Sequence, residues 1–181
     1  MYKRILVAVD GSKTSDVALA EGLKLAKEQH ADLRLLHVAD VTPPAAIDAV
    51  AGQSSYIDYD LFRDATLKAG RDVLRRAESV ARAAGQGVES VVIEASAHDI
   101  SASIVNDASQ WRADLVVIGT HGRSGLERLV LGSVAESVAR HAPVPVLLVK
   151  SGSGSEKRPE RKPATRRATT SSPRRRTNAR R

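Results

Sequence analysis

The chain has 181 residues, no cysteine and a formal net charge of +7, which excludes a disulfide scaffold and any thiolate metal centre or nucleophile. The charge is unevenly divided: residues 1–150 carry 17 Lys+Arg against 19 Asp+Glu, a net of −2, whereas residues 151–181 carry 11 against 2, a net of +9. No stretch approaches the ~20 apolar residues of a membrane span, and the apolar run after Met1 is too short for a signal peptide, so a soluble cytoplasmic protein is the default expectation.

In chain order, Ile5 to Val9 is a short apolar run ending in Asp10-Gly11-Ser12, the pattern of a strand buried on both faces that stops at a turn. Thr14 to Gln29 places Val17, Ala18, Ala20, Leu23, Leu25 and Ala26 at helical spacing. Leu33 to Ala39 reads as a second strand and Val41 to Ser55 as a Pro/Gly/Ser-bearing loop. Ile57 to Ala84 reads as a long amphipathic helix stopped by Gly85 and Gly87. Val88 to Glu94 is a third strand, and Ser96-Ala97-His98-Asp99 fits a capping box for a helix through Ile104 to Trp111. Leu115 to Gly119 is a fourth strand, Gly132 to His141 a further helix, and Val144 to Val149 a fifth strand. Strict β-α alternation with apolar strands predicts an α/β fold: a doubly wound, five-stranded parallel sheet with helices on both faces and right-handed crossovers. From Ser151 the composition changes to a Ser/Gly linker and then Arg, Pro, Ser and Thr, with no aromatic and no aliphatic larger than Ala. Such a segment cannot bury enough surface to offset its ordering entropy, so residues 1–150 are expected as the folded domain and residues 151–181 as a disordered basic tail.

Residues 119–133, G-T-H-G-R-S-G-L-E-R-L-V-L-G-S, join the fourth strand to the helix after it. Glycines at a strand end and a helix start allow backbone to approach an anion, and a helix N-terminus offers unpaired amides and partial positive charge. The P-loop pattern G-x-x-x-x-G-K-[ST] and a strand-linked G-x-G-x-x-G are both absent, which argues against a P-loop ATPase and a dinucleotide site. What stands is G-x-x-G-x9-G-[ST], filled by Gly119, Gly122, Gly132 and Ser133.

That motif, with V-A-V-D-G-S near the start and A-P-V-P-V-L-L-V near residue 150, resembles the ATP-binding branch of the universal stress protein family from about Lys3 to Lys150. The resemblance implies a Rossmann-like sheet of the adenine nucleotide alpha hydrolase type, with strand order 3-2-1-4-5 and a mononucleotide at the carboxyl ends of strands one and four. This is the switch point where such sheets open a crevice. It implies that Ala8, Val9 and Asp10 flank adenine and ribose, and that Val38 offers backbone hydrogen bonds to the adenine edge. Gly119, His121, Gly122 and Arg123 would surround ribose and phosphates, with Gly132, Ser133 and Val134 at the phosphates. ATP is the implied ligand, with Asp10 a candidate to hold Mg2+ through water. The fifth strand, Val144 to Val149, is implied to pair antiparallel with its copy in a homodimer; the competing reading is an edge guarded by Pro143 and Pro145.

Several of these residues also have structural explanations. Ser133-Val134-Ala135-Glu136 fits a capping box, Gly119 and Gly122 fit turn positions, and Asp10 fits an Asx-turn with Ser12. Gly132 has no evident structural need. His121 reads as a polar loop residue, Arg123 equally as an exposed ion-pair partner, His37 as a satisfied core histidine, and Trp111 as core. His30, His98 and His141 show no metal-ligand spacing. Phosphoryl transfer requires a group that orients the nucleophile, and the sequence offers no evident base. Nucleotide binding with slow or absent hydrolysis is therefore the expected function: a stress-response regulator in which ATP orders the loop 120–131. The alternatives are a weak ATPase of related fold and a protein bound to nucleic acid or another polyanion through its tail, with no aromatics in the tail to stack on bases.

Overall fold

The alternating pattern of apolar runs and helical stripes folds as five strands and four helices among the described residues, which in this computed structural model are 1–42, 59–121 and 131–150. The elements are β1 (Arg4–Ala8), α1 (Lys13–Gln29), β2 (Asp32–Asp40), α2 (Tyr59–Ala83), β3 (Glu89–Ala95), α3 (Ile100–Gln110), β4 (Leu115–Gly119), α4 (Ser133–His141) and β5 (Val146–Val149). Most of the expected loop 41–55, Gly122, Arg123, and all of the tail lie outside the described residues.

All four strand pairings are parallel, in the order β3-β2-β1-β4-β5. Each crossover is right-handed when its helix lies on the face set by the direction of the step. The chain steps one way from β1 to β3 and then returns to the far side of β1 with β4, so the helices change face there. Ile5, Val7, Leu33 and Leu35 accordingly pack with α1 and α2 through Leu19, Leu23, Val73 and Leu74. Leu6, Leu36, Val116 and Ile118 face the other way and pack with α3 and α4 through Ile104, Ala108 and Val138. This is strand alternation serving two cores.

Local chemistry sets the element ends. Ser12 caps α1, its side chain accepting from the Ser15 amide at 3.1 Å. Gly85, at φ 75°, takes the left-handed conformation that ends α2. The expected capping box at residues 96–99 is not formed: Asp99 is the cap residue of α3 and makes no side-chain cap hydrogen bond. Ser96 instead donates its hydroxyl to Asp99 Oδ2 at 2.5 Å, within a turn closed by Asp99 N–H to Ser96 O at 2.9 Å. Strand β5 begins at Val146 rather than Val144, because Pro143 and Pro145 have no amide to contribute; the Pro145 carbonyl still accepts from the Val116 amide at 3.0 Å.

At the amino ends of the strands a polar network joins several elements. The Asp114 carboxylate accepts from the amides of Lys3 and Arg4. Arg34 bridges Asp107 on α3 at 2.8 Å and Glu89 on β3 at 2.6 Å. Trp111 is buried, as expected, and more than apolar filling: its Nε1 donates to Glu89 at 3.0 Å, while Arg4 and Arg34 lie 4.5 and 4.9 Å from its ring centre.

Candidate functional site

The opposite, carboxyl ends of the strands open into a cavity of about 470 Å³. It lies where β1 and β4 adjoin, the point at which the strand order reverses and the two loops leave toward different faces. Its volume is in the range of small-molecule sites. Ala8, Val9, Asp10, Val38, Gly119, His121, Gly132, Ser133 and Val134 all line it. Gly122 and Arg123 are outside the described residues, as is most of the loop 120–131.

The β1 end is shaped by Asp10 and Gly11. Asp10 forms the Asx-turn, Oδ1 accepting from the Ser12 amide at 2.9 Å, and the same residue lines the cavity. Gly11 sits at φ 79°, a conformation that L side chains rarely adopt. The turn delivers the chain directly into α1.

At the β2 end, His37 is buried, and its Nδ1 donates to the Val9 carbonyl at 2.7 Å. It is a satisfied core histidine, as expected, and it also lines the cavity. Val38 follows. Leu36 O accepts from the Val9 amide at 2.9 Å, so Val38, two residues on, turns its backbone groups to the same side, past the last β1–β2 register pair at Ala8↔Leu36.

The β4 end explains two glycines. A Cβ on Gly119 would lie 2.9 Å from Thr14 Cγ2 and 3.2 Å from the Thr14 backbone carbon, so glycine lets the first turn of α1 pack against β4. The expectation that Gly132 has no structural need is corrected: a Cβ there would lie 3.1 Å from the Thr120 carbonyl oxygen. That carbonyl accepts from the Gly132 amide at 2.8 Å, and the Thr120 amide donates to Val149 at 2.8 Å. Thr120, which sequence reasoning passed over, is thus the buried hinge between β4, β5 and the α4 entrance. His121 is hydrogen-bonded to the Thr120 hydroxyl through Nδ1 at 3.0 Å; its Nε2 is buried and, among the described residues, unpaired.

The capping box expected at Ser133–Glu136 is likewise absent. Gly132 is the N-cap, with no side-chain cap hydrogen bond, and Ser133 is the first helical residue. The first intrahelical bond runs from the Glu136 amide to Gly132 O at 2.9 Å, so the amides of Ser133, Val134 and Ala135 have no partner within the helix. These three residues line the cavity. Lacking a competing side-chain cap, this terminus presents donors and partial positive charge to whatever occupies the cavity.

Much of the remaining wall is apolar, with Ser15, Asp40 and Thr66 as polar members, and its helical part went unrecognised in the sequence. Thr66 and Ala69 from α2, Ile100 and Ile104 from α3, and Ile118 from β4 line it. Their sequence signal was ordinary helical or strand periodicity. Among the described residues there is no group of three or more His, Asp or Glu able to hold a metal ion.

An open α/β sheet with a ligand-sized cleft at its switch point, one end apolar and one end an uncapped helix, defines a class of small-molecule binding proteins. The model of the universal stress protein family matches residues 1–150. The chain belongs to the universal stress protein family. Universal stress protein YxiE of Bacillus subtilis is 37% identical over 156 residues, covering 83% of this chain and all of that protein (100%). The structure of universal stress protein UspA from Lactobacillus plantarum superposes with a TM-score of 0.66 at 25% identity, covering 82% of this chain and 97% of that one. A universal stress protein solved in complex with cAMP superposes with a TM-score of 0.56 at 27% identity, covering 82% and 96%.

Proposed function

We propose that the protein is an adenine-nucleotide-binding regulator of the stress response, with ATP held in the switch-point cavity. The observation that carries this reading is the pairing of two recognition elements in one cavity: crevice-facing backbone at Val38 and the uncapped amides of Ser133, Val134 and Ala135. A base needs the first and phosphates need the second. The similar protein bound to cAMP supports an adenine nucleotide as the class of ligand. Ala8, Val9 and Asp10 flank base and ribose in this reading, Val38 meets the adenine edge, Gly119 and His121 border ribose and phosphates, and Gly132 keeps the helix entrance close. Mg2+ near Asp10 would be held together with phosphate oxygens and water, its usual mode. The sequence offers no evident nucleophile-orienting base, and the reading is accordingly one of binding with slow or no hydrolysis. Mass spectrometry of small molecules released from native, undialysed protein is expected to yield an adenine nucleotide; protein that releases none and shows no saturable ATP binding overturns the reading.

The second element of the proposal is a homodimer through β5. Among the described residues this strand pairs only with β4 and is an edge of the sheet, with Val146, Leu147 and Leu148 half-buried, and apolar edges are normally covered or paired. A further reading concerns residues 151–181, whose net charge of +9 suits a polyanion such as nucleic acid, bound through its phosphates rather than its bases.

A further inference from the structure

His37 is a buried group that the nucleotide reading leaves without a task. The β1–β2 ladder proceeds by regular alternation, and its next rung after Val9 N–H to Leu36 O would run from Val38 N–H to Val9 O. That carbonyl is instead engaged by His37 Nδ1 at 2.7 Å. A carbonyl only accepts, so Nδ1 carries the proton. The register pairs stop at Ala8↔Leu36. Space for the ring is built into α2: a Cβ on Gly70 would lie 2.6 Å from His37 Cδ2 and 3.1 Å from Nε2. Glycine is disfavoured inside a helix, so its presence at the site where the ring docks marks the ring's position as a packing requirement.

We propose that His37 is a positioning residue for base recognition: by occupying the Val9 carbonyl it ends the β1–β2 ladder one rung early and leaves the Val38 N–H and C=O free for a base edge. This rests on the nucleotide reading above. The consequence is specificity. Adenine presents an amino donor beside a ring-nitrogen acceptor, which matches one residue's C=O and N–H. Guanine presents the reverse order on the same edge, a carbonyl acceptor beside a ring N–H, and meets like against like. A Val38 amide drawn back into the ladder loses this discrimination without touching the phosphate end.

The test uses the full chain, with His37→Leu to remove the donor and His37→Asn to keep an amide donor near the Nδ1 position. In ligand-free, 15N-labelled protein, the Val38 amide is expected to exchange freely in the unmodified chain and in His37→Asn, and to slow about tenfold or more in His37→Leu, where the rung can form. Titration with ATP, GTP and tripolyphosphate is expected to show ATP affinity falling about tenfold in His37→Leu, the loss of about one hydrogen bond. The preference for ATP over GTP should fall toward parity while tripolyphosphate binding is unchanged. Equal protection of Val38 in the unmodified chain and His37→Leu overturns the proposal, as does a parallel loss of ATP and tripolyphosphate affinity. If His37→Leu fails to fold, free exchange of Val38 in the unmodified chain supports the assignment and protection overturns it. An unmodified chain that binds none of the three ligands overturns the nucleotide reading itself, and the exchange data then still decide the ladder assignment.

Discussion

Gly132 separates helix capping from ligand binding, because one added atom changes each by a different route. Its backbone sits at φ −61°, ψ 143°, which any L residue adopts, so Gly132→Ala introduces no conformational strain. The added Cβ meets Thr120 O at 3.1 Å. That oxygen is fixed on both sides, by the Gly132 amide and by the Thr120–Val149 hydrogen bond, each 2.8 Å, and can retreat only by loosening them. Overpacking of this kind costs about 1–3 kcal/mol, and alanine is a poor N-cap. Gly132→Ala is therefore expected to lower stability by about 1–2 kcal/mol, with Tm falling about 2–4 °C for each kcal/mol in a domain of this size. Gly132→Ser adds the same Cβ, but its hydroxyl can accept from a first-turn amide and recover about 1 kcal/mol. That amide belongs to the set proposed to hold phosphate. Thermal melts without nucleotide should rank Ser above Ala, whereas calorimetric titration with ATP should show Ser about tenfold weaker than the unmodified chain, the value of a charge-assisted hydrogen bond or slightly less. A Gly132→Ser protein that binds ATP as tightly as the unmodified chain would refute the assignment of the α4 amides to phosphate.

Three further outcomes are expected. Gly22→Ala gains about 1 kcal/mol of helix propensity but places a Cβ 2.5 Å from Cγ2 of the fully buried Val7, so urea denaturation should show no net gain or a loss of up to about 2 kcal/mol. Combining it with Val7→Ala should give a coupling of at least about 0.5 kcal/mol, and strict additivity would contradict the contact. The Pro145 and Val149 carbonyls accept from the Val116 and Thr120 amides, so alternation turns the Leu148 amide to the open edge. Leu148→Pro should then convert the proposed dimer to monomer in sedimentation while preserving the β4–β5 ladder; a monomeric unmodified chain at micromolar concentration removes the dimer, and a dimeric proline variant removes strand pairing. For the tail, retention of duplex DNA by the full chain should weaken by about 10³–10⁵ between about 50 and 200 mM salt if 6–10 phosphates are engaged. Deletion of residues 151–181 should abolish that retention, and unchanged retention would place the contact in the body.

The fold was legible because β1, β4 and β5 hold uninterrupted apolar runs and β2 and β3 largely apolar ones, and the β-α alternation then allows few topologies. Boundaries shifted by one or two residues where backbone satisfaction rather than apolarity decides. Strand β5 waits for the end of the Pro143-Val144-Pro145 run, and β1 yields Val9 because its carbonyl has been taken by a side chain. Of the residues expected at the site, Gly119, Gly132 and Ser133 follow from the glycine motif and Ala8, Val9, Asp10 and Val38 from the family resemblance; all of these line the cavity, since strands must end before loops can form a crevice. The α2 and α3 wall was not: Ala69, Ile100 and Ile104 carry only helical periodicity, and which helical face looks into a cavity depends on packing. The two capping boxes misled for a common reason. A Ser with an acidic residue three positions on fits the pattern, but the cap belongs to whichever residue has non-helical backbone at the entrance, and Thr120 and Ser96 fix that position from outside the helix.

The two ends of the sheet satisfy their polar groups in different ways, and the difference bears on function. At the amino ends, carboxylates of Asp114, Asp107 and Glu89 are met by amides, by Arg34 and by Trp111. The buried atoms left over there, Arg4 Nε, Arg34 Nε and Asp107 Oδ2, sit on side chains already ion-paired or stacked on Trp111. At the carboxyl ends the groups without a partner among the described residues are of another kind. Three first-turn amides of α4, the backbone of Val38 and His121 Nε2 all border one cavity, and the protein withholds nearby partners that it has available. Ser133 stands one residue too late to cap α4, and the Val9 carbonyl is occupied by His37. Of these, His121 Nε2 is buried, and a buried polar group left unmet costs about 1–3 kcal/mol, so a ligand that meets it together with the helix amides stabilises the fold. A ligand carrying a hydrogen-bonding ring at one end and anionic oxygens at the other would meet them together, which is why occupancy should raise Tm more than the binding of an isolated phosphate does.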